Sequence, residues 1–234
     1  MEYYAHKDQP LPKHLLAVAR QAKQFGKLFG ADGQSYLAGL LHDLGKAEEE
    51  FQKRLEGKKA DKQPHAHHGT ALALANQNWP VAFAINGHHA GLHDRPNLQR
   101  TGKHLQKARD AEKRLTGSAH WNGQPWPVAD FGKNLPDWLE RLPFNTPEER
   151  ATKLRAVEIY TRFLFSALVD ADRLDTEQNA PETRDNFAKR HGWRFGDEGL
   201  ASKDAPGQLL DLLDAAIQQR KTTAESKGAS ADVL

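Results

Sequence analysis

The chain is 234 residues long, carries a formal net charge of +2 and contains no cysteine. That length allows one large domain or two small ones with a real core, and the missing thiols exclude disulfides, thiolate catalysis and cysteine-based zinc sites. The near-neutral charge identifies no partner, so any nucleic-acid binding has to come from a local patch. No 18-residue apolar run and no signal-like N-terminal stretch occur, which predicts a soluble, cytoplasmic protein with no membrane partner. What stands out is 12 histidines, several of them clustered.

In chain order, residues 1–12 are polar, with Pro10 and Pro12 marking a lead-in loop. His14 opens a helix whose apolar stripe is Leu15, Leu16, Val18, Ala19, Ala22 and Phe25, closed by Gly26 and Gly30. A second helix runs from about Gln34 into Leu40-Leu41-His42-Asp43-Leu44-Gly45-Lys46, where Gly45 supplies a stop. This heptapeptide presents an imidazole and a carboxylate side by side at a buried helix end. Divalent metals of intermediate softness take such N and O ligands together. The other His-Asp pair, His93-Asp94, lies between Gly91 and Pro96 and reads as a loop.

Residues 47–55 predict a charged helix with Phe51 and Leu55 inward, and 58–64 a polar loop. His65, His67 and His68 then open a helix of small residues through Ala75, which predicts close packing against a neighbour. Trp79-Pro80 interrupts it, and a helix over Val81 to Ile85 delivers His88-His89. Both His-His pairs fall at the ends of apolar helices, where a packed bundle would hold ligands facing one cavity. The basic run of Arg95, Arg100, Lys103, Lys107, Arg109, Lys113 and Arg114 follows directly, with a helix over 102–115, and suggests a phosphate-contacting rim.

Residues 116–135, rich in Gly, Pro and Trp, predict an irregular insertion. A long helix begins at Pro147-Glu148-Glu149, with proline and acids suited to a first turn. It is apolar nearly all round from Leu154 to Ala171, yet holds Asp170 and Asp172, carboxylates that are costly there unless paired or metal-bound. The two residues point roughly 200° apart on a helix, so only one of them can face a given site. Residues 209–217 predict a last amphipathic helix, and 222–232 have linker composition. No strand alternation of any length occurs, so the expected fold class is all-α.

The order His14, His42-Asp43, Lys46, His68, His88-His89, Ala171-Asp172 resembles the HD phosphohydrolase superfamily. More narrowly it resembles the HD nuclease domain of the signature helicase–nuclease of type I CRISPR interference. The narrower likeness rests on Leu41-His42-Asp43-Leu44-Gly45-Lys46, on His68-Gly69-Thr70-Ala71, on His88-His89 before Gly91, and on the stretch 166–177. It implies an HD-domain helical bundle over residues 1–222, with 223–234 a tail or linker toward a helicase domain whose motifs this sequence lacks.

The resemblance also implies one metal held by His14, His42, Asp43 and Asp172, and a second by His68, His88 and His89, with Asp43 bridging. His67 competes with His68, and Asp170 with Asp172; the superfamily's Ala-Asp-Arg-Leu form favours Asp172 and leaves Asp170 to support a histidine ligand. His42, Asp43 and Lys46 are the expected catalytic residues, and Arg95, Arg100, Lys103 and Lys107 the expected DNA contacts. Imidazole-rich ligation suits Mn, Fe, Co, Ni or Zn better than Mg.

The expected activity is metal-dependent cleavage of single-stranded DNA in CRISPR antiviral defence, with a helicase domain in cis or trans and a guide-RNA surveillance complex as partners. The competing expectations are an HD-type nucleotide or cyclic-nucleotide phosphohydrolase, and a non-catalytic docking domain stapled by metal.

Overall fold

A computed structural model describes residues 2–61, 64–118, 121 and 135–179. Contacts divide the chain into 1–181 and 182–234, and everything described lies in the first unit. The insertion near 116–135 falls mostly outside the described residues, and the predicted 209–217 helix and 223–234 tail fall wholly outside them.

The described part is helical, as the absence of strand alternation predicts. Its elements are α1 (Leu11–Gly26), α2 (Asp32–Leu41), α3 (Glu49–Leu55), α4 (Ala66–Ala75), α5 (Trp79–Gly87), α6 (Arg95–Arg100), α7 (Leu105–Thr116), α8 (Asp137–Glu140) and α9 (Pro147–Asn179). Short 3-10 turns cover Leu44–Ala47 and Thr101–His104. The lead-in residues depart from the predicted loop: β1 (Tyr4–His6) and β2 (Gln9–Pro10) form a small antiparallel hairpin, with Tyr4 opposite Pro10. Tyr3 and Ala5 are buried beneath it, a pattern too short to register as alternation.

α1 buries Leu11, Leu15, Val18, Ala19 and Ala22 on one stripe and lays them against α2. Contact there is backbone to backbone. A Cβ on Gly39 would stand 2.6 Å from the Ala19 Cα, so only glycine lets α2 lie this close to α1. Gly69 plays the same part between α4 and the end of α2, where a Cβ would strike the Leu41 carbonyl. These two contacts draw the inner face of α1, the end of α2 and the start of α4 to one point.

α9 closes the bundle. Thr146 and Glu149 form a capping box: Glu149 N–H donates to Thr146 Oγ1 (3.2 Å), and Thr146 N–H to Glu149 Oε2 (3.0 Å). Its inner face is Tyr160, Leu164, Ala167, Leu168, Ala171 and Asp175. The helix is less enclosed than its sequence suggests, because Leu154 (62% exposed), Ile159 and Phe163 (54% each) lie on the outer face. No described helix is long and apolar enough to cross a membrane.

Candidate metal centre

His14 sits on the buried stripe of α1, and its Nδ1–H donates to Asp175 Oδ2 on α9 at 2.7 Å. That carboxylate also accepts from Gln9 Nε2 (2.7 Å) and Asn179 Nδ2 (3.2 Å). His42 follows the last residue of α2, and its Nδ1–H donates to the Gly39 carbonyl three residues back, at 2.7 Å. His88 ends α5 in the same way, with Nδ1–H on the Ile85 carbonyl at 2.6 Å. Helix ends leave carbonyls without intrahelical partners, and these two histidines use them. In all three rings the proton is therefore fixed on Nδ1, which leaves the Nε2 lone pair facing inward.

The inward atoms converge. His14 Nε2 and His42 Nε2 are 3.2 Å apart. Asp43 Oδ2 lies 3.3 Å from each, and Asp172 Oδ1 lies 3.5 and 3.4 Å from them. The other Asp43 oxygen faces a second set, at 3.2 Å from His65 Nε2 and 3.4 Å from His88 Nε2. His89 Nε2 joins that set at 2.6 Å from His65 Nε2. Two groups result, His14–His42–Asp43–Asp172 and Asp43–His65–His88–His89, within each of which the ligand atoms lie within 4.8 Å of one another. Lys46 Nζ stands 2.6 Å from Asp43 Oδ2, on the turn that continues from the His-Asp pair.

Facing lone pairs at such distances repel unless a proton or a cation lies between them. Burial alone would lower the His42 pKa, yet the Asp43 and Asp172 carboxylates push it up to about 10. Burial works against ionising Asp43 as well, but Lys46 and His42 hold it well below the usual carboxylate range. Asp172 is likewise lowered against its burial, chiefly by His42. Asp43 Oδ2 is ion-paired with Lys46, whereas Asp43 Oδ1 and His88 Nε2 have no well-directed hydrogen bond among the described residues. Buried charge and orphaned acceptors together, in a mixed N and O donor set, fit divalent ions of the transition series.

Two of the sequence alternatives separate here. Asp172 faces the centre, whereas Asp170 is exposed and, among the described residues, hydrogen-bonds only with Ser166 Oγ, at 3.4 Å. The supporting role foreseen for Asp170 belongs to Asp175, one turn further along the inner face. Neither His68 nor His67 joins the second group; His65 does. His68 points the other way, its Nε2 3.4 Å from Glu48 Oε1, and Glu48 is itself paired with Arg114. His67 stacks near His104, with ring centroids 5.1 Å apart. The reason is local. α4 starts at Ala66, so His65 stands at its mouth and reaches Asp43, while His68 is already one turn inside, against the turn Leu44–Ala47 and α7.

The basic run is not one surface. Arg95 stacks over Trp79 at 4.8 Å, Arg100 and Lys103 line an open cleft, and Lys107 is exposed on α7. Sequence reading placed Asp175 in the stretch 166–177 but gave neither it nor Gln9 a role. The signal for Asp175 was there in its spacing, four residues beyond Ala171 on the buried face.

Comparison with known proteins adds one match. Residues 13–116 correspond to the HD domain family, a segment that contains His14, His42, Asp43, His65, His88 and His89, and leaves Asp172 and Asp175 beyond its end. No curated protein matches the chain. Six of the seven side chains gathered in the two ligand groups thus lie in a segment similar to HD domains.

Proposed function

We propose that the protein is a metal-dependent nuclease that hydrolyses phosphodiester bonds of single-stranded DNA. The observation that carries the reading is Asp43, one buried carboxylate whose two oxygens face two separate ligand groups. Divalent ions held there would polarise a phosphoryl oxygen and acidify a water so that it attacks at neutral pH. The first would be held by His14, His42, Asp43 and Asp172, the second by His65, His88 and His89 with Asp43 shared.

The chain's own groups set the rest. Asp175, Gly39 and Ile85 fix the ring orientations of His14, His42 and His88 through Nδ1. Lys46 places an ammonium next to Asp43, where it can neutralise charge developing on a phosphate oxygen. Arg100 and Lys103 supply exposed cations in one open cleft for a strand. Its setting in this reading is type I CRISPR interference, beside a helicase domain in cis or trans that opens the duplex for a guide-RNA complex.

The test is a cleavage assay on single-stranded DNA, duplex DNA and free nucleotides, with Mn, Co or Ni added and with a chelator. Single strands should be degraded, duplex should resist, and chelation should stop the reaction. Robust hydrolysis of free nucleotides with DNA untouched would establish the nucleotide phosphohydrolase instead.

A further inference from the structure

Beside the second ligand group lies a cleft of about 380 Å³, bordered by the first turn of α4, the end of α5, α6 and the turn Thr101–His104. Its lining includes His67, Asn86, His93, Arg100, Lys103 and His104, and no carboxylate. Arg100 and Lys103 have no ion-pair partner among the described residues. Arg100 is instead steadied by donating from Nη1 to Asn97 Oδ1 at 3.0 Å. The Asn86 carboxamide oxygen and His67 Nδ1, both out of solvent, meet no hydrogen-bond partner.

A cavity with two permanent cations, three imidazoles, an amide with an unused oxygen and no counter-charge has the chemistry of an anion site. Its volume falls within the range of small-ligand pockets. A guanidinium with an ammonium beside it suits the oxygens of a phosphate group. The cleft also shares its helix ends with the metal centre, since His67 and Asn86 stand two residues from His65 and His88.

We infer that this cleft is a phosphate-binding subsite, which takes a phosphodiester flanking the one being cut. That the phosphate belongs to a strand rests on the nuclease reading; that the cleft takes a phosphate does not.

The test uses the full chain with chelator present, so that metal-held phosphate does not contribute. Inorganic phosphate, thymidine 5′-monophosphate and tetrathymidylate are titrated into the parent, into a double variant Arg100→Ala/Lys103→Ala, and into Asn86→Asp, which brings a carboxylate into the cleft. Arg100 and Lys103 are exposed, so their truncation leaves the fold intact.

The double variant should lose about tenfold or more in affinity for each phosphate probe, as charge-assisted hydrogen bonds disappear. The slope of log affinity against log salt for tetrathymidylate should shrink by about 0.7 for the lost phosphate. Asn86→Asp should weaken binding in the same direction, and metal content under loading conditions should stay at the parental value in both.

All three probes bound within twofold of the parent by both variants would overturn the subsite. Weaker binding of inorganic phosphate and the monophosphate alone would overturn its assignment to a strand. The two readings fail separately. A metal-loaded parent that holds tetrathymidylate through Arg100 and Lys103 without cutting it refutes the nuclease and leaves the subsite. A parent that cuts it with the same KM as the double variant refutes the subsite and leaves the nuclease.

Discussion

Asp175 touches no inward ligand position, yet it should govern the first metal position. Its carboxylate accepts the His14 Nδ1 proton at 2.7 Å and keeps that ring's Nε2 aimed at Asp43 and Asp172. Asp175→Asn preserves the shape and an acceptor oxygen for His14, but removes the negative charge that makes the imidazole a stronger donor to a cation. Changes of this kind typically cost 10–100-fold in metal affinity, which is roughly 1.4–2.7 kcal/mol. The second group contains no atom held by Asp175, so its affinity should stay unchanged.

Calorimetric titration of Mn into the chelator-stripped variant should therefore show one weakened site and one of parental affinity, with excess Mn restoring activity. Asp170→Asn is the control, because that side chain is exposed and, among the described residues, bonds only with Ser166; it should be silent. Equal affinities in Asp175→Asn and the parent, or an equal loss in Asp170→Asn, would refute the argument that the His14 ring is tuned from α9.

His65→Ala should lower metal in the second group, measured by metal analysis after loading, whereas His68→Ala should keep both ions; its cost should be stability of about 1–3 kcal/mol, read from thermal melts. Gly39→Ala places a methyl 2.6 Å from the Ala19 Cα, so α1 and α2 must part, and both Tm and metal content should fall together. In metal-free protein the raised His42 pKa gives stability that is fully present below pH 6.5 and fades as pH rises toward about 10. The lowered Asp43 pKa gives stability present above pH 3.8 and lost in acid, so melts in chelator should peak between these limits. With metal the alkaline loss should vanish, because the ion takes the proton's place. Activity should fall as pH drops, because protons compete with metal for the ligand imidazoles; excess metal should move that limit lower, and a limit that ignores metal concentration would point to a titrating substrate contact.

Periodicity made most helices legible. The stripe of α1 and the acidic, proline-led start of α9 are local signals, and the structure keeps them; the stop expected at Gly45 comes earlier, because α2 ends at Leu41 and Gly45 lies within the turn Leu44–Ala47. What local signals do not carry is which way a side chain faces once helices meet. His65 and His68 are three residues apart and equally histidine; only the point where α4 begins, fixed by contact with α2 through Gly69, separates them. Asp175 stayed hidden for a similar reason, because its partner His14 lies 161 residues away in sequence. The N-terminal hairpin escaped because strands of three and two residues are shorter than any alternation they could display.

The carbonyls that hold His42 and His88 belong to the backbone, three residues behind each ring. No neighbouring side chain is needed to orient them, only a helix that stops where it does. Such a centre should absorb many substitutions along α2 and α5 and very few changes of length. One residue inserted into α2 between Gly39 and His42 would turn everything beyond it by about 100° and advance it 1.5 Å. His42 and Asp43 would then turn together away from His14 and Asp172, so the spacing of these helices constrains variation more tightly than most of their residues do.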